Sequence, residues 1–240
     1  MSLEEKRASG NPAPESSGIE RLASPLPHVG VWWCSLEPLA ARLDAFERAL
    51  STAERARAAR FGTPQLRDRY VMGRGSLRSI LAGELGTDPA AVDIVRGIRG
   101  RPQLAGIPAL DFNVSHTDGI AIVGIVRRGR IGVDVERLDR TINVEGIARK
   151  FMTTNERAAI AVQDADAGRR HLLTLWTCKE AMSKATGDAL AAPFGSIDVA
   201  LGAWRALRSG PSPYHPDHWS LHAAAVPPDY VATIAIWHAH

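Results

Sequence analysis

Three short apolar runs, at 112–116, 120–127 and 131–136, follow one another almost without interruption in the middle of the chain. Each is shorter than an ordinary helix and rich in Val, Ile and Phe, the composition of strands. Gly129, at the tip of Arg127-Arg-Gly-Arg130, suggests a hairpin turn between the second run and the third. A chain with this centre must build sheet, and its flanks indicate what covers it. Residues 65–85 carry Val71, Leu77, Ile80, Leu81 and Leu85 at helical spacing, and residues 171–186 do the same with Leu172, Leu175, Trp176, Ala181 and Met182. Helix therefore precedes strand in both halves.

The remaining elements fit that order. Val29 to Ser35 reads as a first strand. Ser51 or Thr52 caps a helix with Glu54 in its first turn, running to Arg60 and broken at Gly62-Thr-Pro64. Gly86 ends the helix at 65–85; a short strand at 92–95 and a Gly- and Pro-bearing loop at 97–108 follow. A polar connector at 137–143 leads to helices at 144–150 and from Thr154, and strands at 196–200, 219–225 and 230–237 close the chain. An internal duplication is suspected, although no sequence repeat displays it.

Composition narrows the setting. At 240 residues the chain is one large domain or two half-size ones. No apolar run approaches the roughly 20 residues that span a bilayer. The first 18 residues lack the apolar core of a secretory signal and read as a disordered tail. Two cysteines make neither a disulfide framework nor a metal cluster, so a cytoplasmic home is expected. Of the 29 basic residues only four are lysines, and seven arginines crowd 55–78. Such a patch suits a polyanion, whether nucleic acid, a phosphorylated cofactor or an acidic protein, or is a solvated helix face.

Two constellations carry chemistry. In Gly132-Val-Asp134-Val-Glu136 the two carboxylates lie two residues apart on a strand and share a face, with Val133 and Val135 on the other. Neighbouring carboxylates repel unless a cation or proton stands between them, yet a charged strand end facing water has the same pattern. On the helix, Trp176, Glu180 and Lys184 are spaced by four along one stripe. That is either a Trp anchor beside an ordinary ion pair or part of a site. If this helix faces that strand end, Asp134, Glu136 and Glu180 form an oxygen site suited to Mg²⁺, with Lys184 where phosphate charge develops. Ser115 and His116, adjacent on a strand, point oppositely and make a poor hydrolase pair.

Taken together, FNVSH (112–116), IGVDVE (131–136) and LWTCKEAMSK (175–184) resemble the signature of the Sfp-type phosphopantetheinyl transferases, over about residues 50–199. The resemblance implies an α+β pseudodimer of two similar halves with the active site in the cleft between them. The halves are drawn at 19–136 and 137–240. It implies transfer of 4′-phosphopantetheine from coenzyme A to a serine of an apo acyl or peptidyl carrier protein. Mg²⁺, with Mn²⁺ as an alternative, would be held by Asp134, Glu136 and Glu180. Glu180 would also be the base and Lys184 the pyrophosphate contact. Arg57, Arg96, Arg101, Ser115, His116 and Lys179 would hold coenzyme A, and Trp176 would anchor the core. The same family features imply a monomer serving secondary metabolism or siderophore pathways; neither nucleic acid nor membrane is expected as partner. A segment at 147–160, with Phe151, Met152 and Ile160, is either the carrier-docking surface or core. Ala189 stands where the family commonly has glycine.

Overall fold

The computed structural model describes residues 18–37, 40–107 and 109–238, so the tail expected to be disordered lies, but for Gly18, outside the described residues. Strands β1 (Ile19–Arg21) and β2 (Val29–Ser35) open the fold, followed by helices α1 (Ala40–Ala49), α2 (Thr52–Ala58) and α3 (Pro64–Leu85). Then come β3 (Ile94–Arg96), β4 (Pro102–Leu104), β5 (Asp111–Thr117), β6 (Ile120–Val126) and β7 (Arg130–Arg137). Helices α4 (Val144–Phe151), α5 (Thr154–Ala161) and α6 (Ala165–Thr186) precede β8 (Asp198–Leu201), β9 (Arg205–Ser209), β10 (Trp219–Ala223) and β11 (Tyr230–Trp237). Sequence reading had no counterpart for β1, α1 or β9, and the loop expected at 97–108 contains β4, which pairs with β3.

Two sheets lie face to face, one ordered β1-β2-β6-β5 and the other β7-β11-β10-β9-β8. Between them Val29, Val31, Ile120, Ile122, Val126, Ile131, Val133, Val135, Ala232, Ile234 and Ile236 form one apolar layer. The opposite face of the first sheet packs with α1 and α3, and that of the second with α6. Every residue of β6 is buried because both of its faces meet a core, which is why its sequence is apolar throughout.

The duplication is plain in the topology. In each half a strand (β2, β7) is followed by a short helix with a capping box, Ser51 with Glu54 and Thr153 with Glu156. A 22-residue helix then ends on a left-handed glycine, Gly86 or Gly187. Four strands complete each half, and the orders β2-β6-β5 and β7-β11-β10 correspond. This correspondence corrects two expectations. Gly129 does make a turn, with φ of +81°, but no hairpin, since β6 pairs with β2 and β5 whereas β7 pairs with β11. The chain crosses there from one sheet to the other, because the apolar sides of β6 and β7 face each other across the layer. The boundary drawn at 136/137 therefore cuts β7 from its sheet; the halves divide near 127–129.

Candidate active site

Helix α6 lies on β7 at closest approach over Gly132. A Cβ there would stand 1.8 Å from the Ala181 carbonyl oxygen, so only glycine admits the helix. That contact brings Glu180 and Lys184 over Asp134 and Glu136, as the shared strand face and the four-residue stripe require. Lys184 Nζ donates to Asp134 Oδ1 (2.6 Å) and to Ser115 Oγ (2.8 Å), and Ser115 Oγ donates to the same Oδ1 (2.9 Å). Asp134 is 5 % exposed, and its Oδ2 is buried with no hydrogen-bond partner among the described residues. Burial raises the Glu180 carboxyl above its ordinary value, and Asp134 and Glu136 add to that against Lys184. Burial likewise raises Glu136, with Asp134 adding, against its hydrogen bond from Arg140 (2.6 Å).

The three carboxylates thus feel one another, but among the described residues no three metal-ligating side chains converge on one point. Lys184 occupies one oxygen of Asp134, and Arg140 draws Glu136 aside. In chemistry the donor set still fits a hard divalent ion: three carboxylates, two held above their usual values by burial and crowding, and one Asp134 oxygen with no hydrogen-bond partner among the described residues.

On the other face of β5, His116 opens onto a cleft of about 630 Å³ in the N-terminal half. Its lining includes Arg57, Arg69, Tyr70, Arg74 and Arg96. Arg57 lies over the Tyr70 ring at 5.7 Å. Glu54 sits in this basic wall as a brace. It accepts from Ser51 N (2.9 Å), from Arg78 Nε (2.6 Å) and from Arg74. Burial pushes its carboxyl up, but the Ser51 amide and the two guanidiniums more than reverse that and hold it below the usual carboxylate range. The arginine run is therefore partly neutralised: Arg67 pairs with Glu47 and Asp68, and Arg69 with Glu37 and Asp118.

Of the expected coenzyme A contacts, Arg57, Arg96 and His116 line the cleft, and Ser115, Lys179, Arg101 and Lys184 do not. Ser115 belongs to the acid cluster, because neighbours on a strand point oppositely. Lys179 is fully buried and its ammonium donates to Glu156 Oε2 (2.6 Å), Phe194 O (2.8 Å) and Phe151 O (3.0 Å), leaving nothing for a ligand. Arg101 is 6 % exposed and forks onto Asp111 at 2.6 and 2.7 Å. Trp176 packs as an anchor against Phe151 and Phe194. Met152 and Ile160 are core residues, so of the proposed docking trio only Phe151 is half-exposed. The sequence did not single out Tyr70 in the cleft, although 66, 70, 73 and 77 fall on one helical face that a stripe search would find, and it offered Arg74 only as one of the arginine run.

A model of the 4′-phosphopantetheinyl transferase N-terminal region matches residues 34–125, and one of the 4′-phosphopantetheinyl transferase superfamily matches residues 130–235. The two meet at the turn that divides the sheets. The 4′-phosphopantetheinyl transferase HetI of Nostoc sp. is 34 % identical over 211 residues, covering 87 % of each chain. The 4′-phosphopantetheinyl transferase Sfp of Bacillus subtilis is 26 % identical over 158 residues, covering 66 % of this chain and 69 % of its own. AcpT of Escherichia coli, another 4′-phosphopantetheinyl transferase, is 30 % identical over 122 residues, covering 50 % of this chain and 58 % of its own.

Proposed function

Since this chain belongs to the Sfp-type 4′-phosphopantetheinyl transferases, we propose that it moves 4′-phosphopantetheine from coenzyme A to a serine of an apo acyl or peptidyl carrier protein, releasing adenosine 3′,5′-bisphosphate. The observation that carries the reading is Asp134, one oxygen held by Lys184 and the other buried with no hydrogen-bond partner among the described residues, its charge felt by both Glu136 and Glu180.

Arg57, Arg96 and His116, joined by Arg74, hold the phosphorylated nucleotide end in the cleft. Lys184 meets the pyrophosphate and neutralises the charge that gathers on the leaving group. Glu180, whose carboxyl is raised by burial, takes the proton of the carrier serine as its oxygen bonds to the β-phosphorus and the bond to the leaving nucleotide breaks. Asp134, Glu136 and Glu180 would hold Mg²⁺, which when bound screens their repulsion and draws charge from the phosphoryl group. The duplicated half supplies in one chain both walls of the site, so a monomer suffices. No helix among the described residues is long and apolar enough to cross a membrane.

The test is incubation with coenzyme A, Mg²⁺ and an apo carrier domain, reading the carrier's intact mass. A gain of one phosphopantetheine group, abolished by EDTA and by Glu180→Ala, supports the reading. No gain on acyl or peptidyl carriers, with coenzyme A still bound, leaves a coenzyme A-binding module instead.

A further inference from the structure

The turn between β3 and β4 belongs to the N-terminal half, yet both of its arginines reach the C-terminal half. Arg101 spends all three guanidinium nitrogens on protein. Nη1 and Nη2 grip Asp111, Nη2 also donates to Phe112 O (3.1 Å) and Ile131 O (2.7 Å), and Nε donates to Lys184 O (2.9 Å). Asp111 in turn accepts from Ile131 N (2.8 Å), so one carboxylate ties β5, β7 and Arg101 together. Two residues earlier, Arg99 pairs with Asp188, which also accepts from Tyr214 Oη (2.6 Å) and Thr186 Oγ1 (2.8 Å). Between them lies Gly187, left-handed at φ of +85°, where an added Cβ would stand 3.8 Å from Arg101 Cβ and 4.0 Å from Arg99 Cβ.

The contact to Lys184 O has a particular meaning. Helix α6 ends at Thr186, so this carbonyl is among the last four, which have no amide of their own helix to accept from. A guanidinium there satisfies the orphan acceptor and meets the negative end of the helix dipole. The residue whose carbonyl is held is the one whose ammonium stands on Asp134 and Ser115. We infer that the turn 97–101 is a clasp between the halves, and that Arg101 is a positioning residue that sets Lys184 over the acid cluster. The inference rests on the transferase reading for its effect on turnover, and replaces the expectation that Arg101 touches the nucleotide.

Two variants test it. Arg101→Lys keeps the charge but cannot reproduce the fork. Arg99→Ala removes the exposed arm, whose side chain is 61 % accessible, and leaves the buried network intact. The readouts are kcat per folded molecule at saturating coenzyme A, coenzyme A affinity by calorimetry, and amide exchange at 183–187. Displacing Lys184 should lower kcat about 10- to 100-fold in Arg101→Lys, with coenzyme A affinity falling by a clearly smaller factor, since only the pyrophosphate contact is disturbed. Arg99→Ala should speed exchange at 183–187 and lower kcat by a smaller factor. Weakened coenzyme A binding with kcat retained would make Arg101 a nucleotide contact and overturn the inference. So would normal kcat per folded molecule with only the folded yield reduced, or exchange at 183–187 unchanged in Arg99→Ala. A wild-type protein that transfers nothing sinks the transferase reading, while the exchange measurement still decides the clasp.

Discussion

Asp134 concentrates the chemistry into one side chain, because its two oxygens have different fates. One is shared by an ammonium and a hydroxyl, and the other has no hydrogen-bond partner among the described residues. Asp134→Asn should cut turnover by about 100-fold or more, with coenzyme A affinity changed far less, since the cleft proposed to hold the nucleotide is elsewhere. Kinetics alongside calorimetry check this, and turnover kept at the wild-type level would refute the site. Glu180 allows a pH test. Its folded carboxyl is raised, so the folded state binds more protons than the unfolded one above the ordinary carboxylate range. Its effect on stability is therefore unfavourable as pH rises from that range through the raised folded value. Thermal melts without metal should show Glu180→Gln losing less stability over that interval than the wild type, and Mg²⁺ should reduce the difference. Ala189 is the third case. It sits at φ of +48°, the left-handed region, where the family commonly has glycine. Ala189→Gly should gain about 1 kcal/mol in denaturant unfolding with activity unchanged. At this scale Asp134, Glu136, Glu180 and Lys184 were legible because strand and helix periodicities put them on shared faces. Lys179 and Arg101 were not, because their charges gave no hint of burial.

At the scale of elements, each half locks its long helix to its capping box. Glu54 accepts from Arg78 of α3, and Glu156 accepts from Lys179 of α6. Arg78 also donates to Pro89 O (2.8 Å) and Val92 O (2.9 Å), as Lys179 does to Phe151 O and Phe194 O. One buried cation thus fastens a helix cap and the loop after the long helix in both halves. Removing one partner of such a pair leaves an unpaired buried charge and costs about 3–5 kcal/mol. Lys179→Met should lose that much in urea unfolding, and adding Glu156→Gln should return part of it. Full retention of stability in the single variant would deny the lock. The helix starts were readable, from Ser51 or Thr52 with Glu54 and from Thr154-Asn155-Glu156; the reciprocal capping boxes were not. The second helix does start at Thr154, with Thr153 as its cap. Helix α1 was missed; it covers the first sheet by packing Phe46 against α3 at Gly75.

In the whole molecule, the layer between the sheets is the largest commitment the chain makes to being one body. Neither half can bury its inner sheet face alone. Fragments 1–128 and 129–240 should be insoluble apart and recover solubility when co-expressed, as co-purification would show; a soluble monomeric fragment 129–240 would contradict this. What the sequence determined by itself is local: which runs are strands, which faces are acidic, where helices start and stop. These follow from periodicities of two and 3.6 residues and from caps, all carried within a few neighbours. What only the tertiary structure decided is which strand joins which sheet and which charges are spent inside. Gly129 looks the same in a hairpin and in a crossover, and Arg101 the same on a surface and in a seam. The difference lies in contacts such as Arg101 with Lys184 O, 83 residues apart, where the desolvation that chooses between a ligand contact and a structural one depends on the packing of both halves.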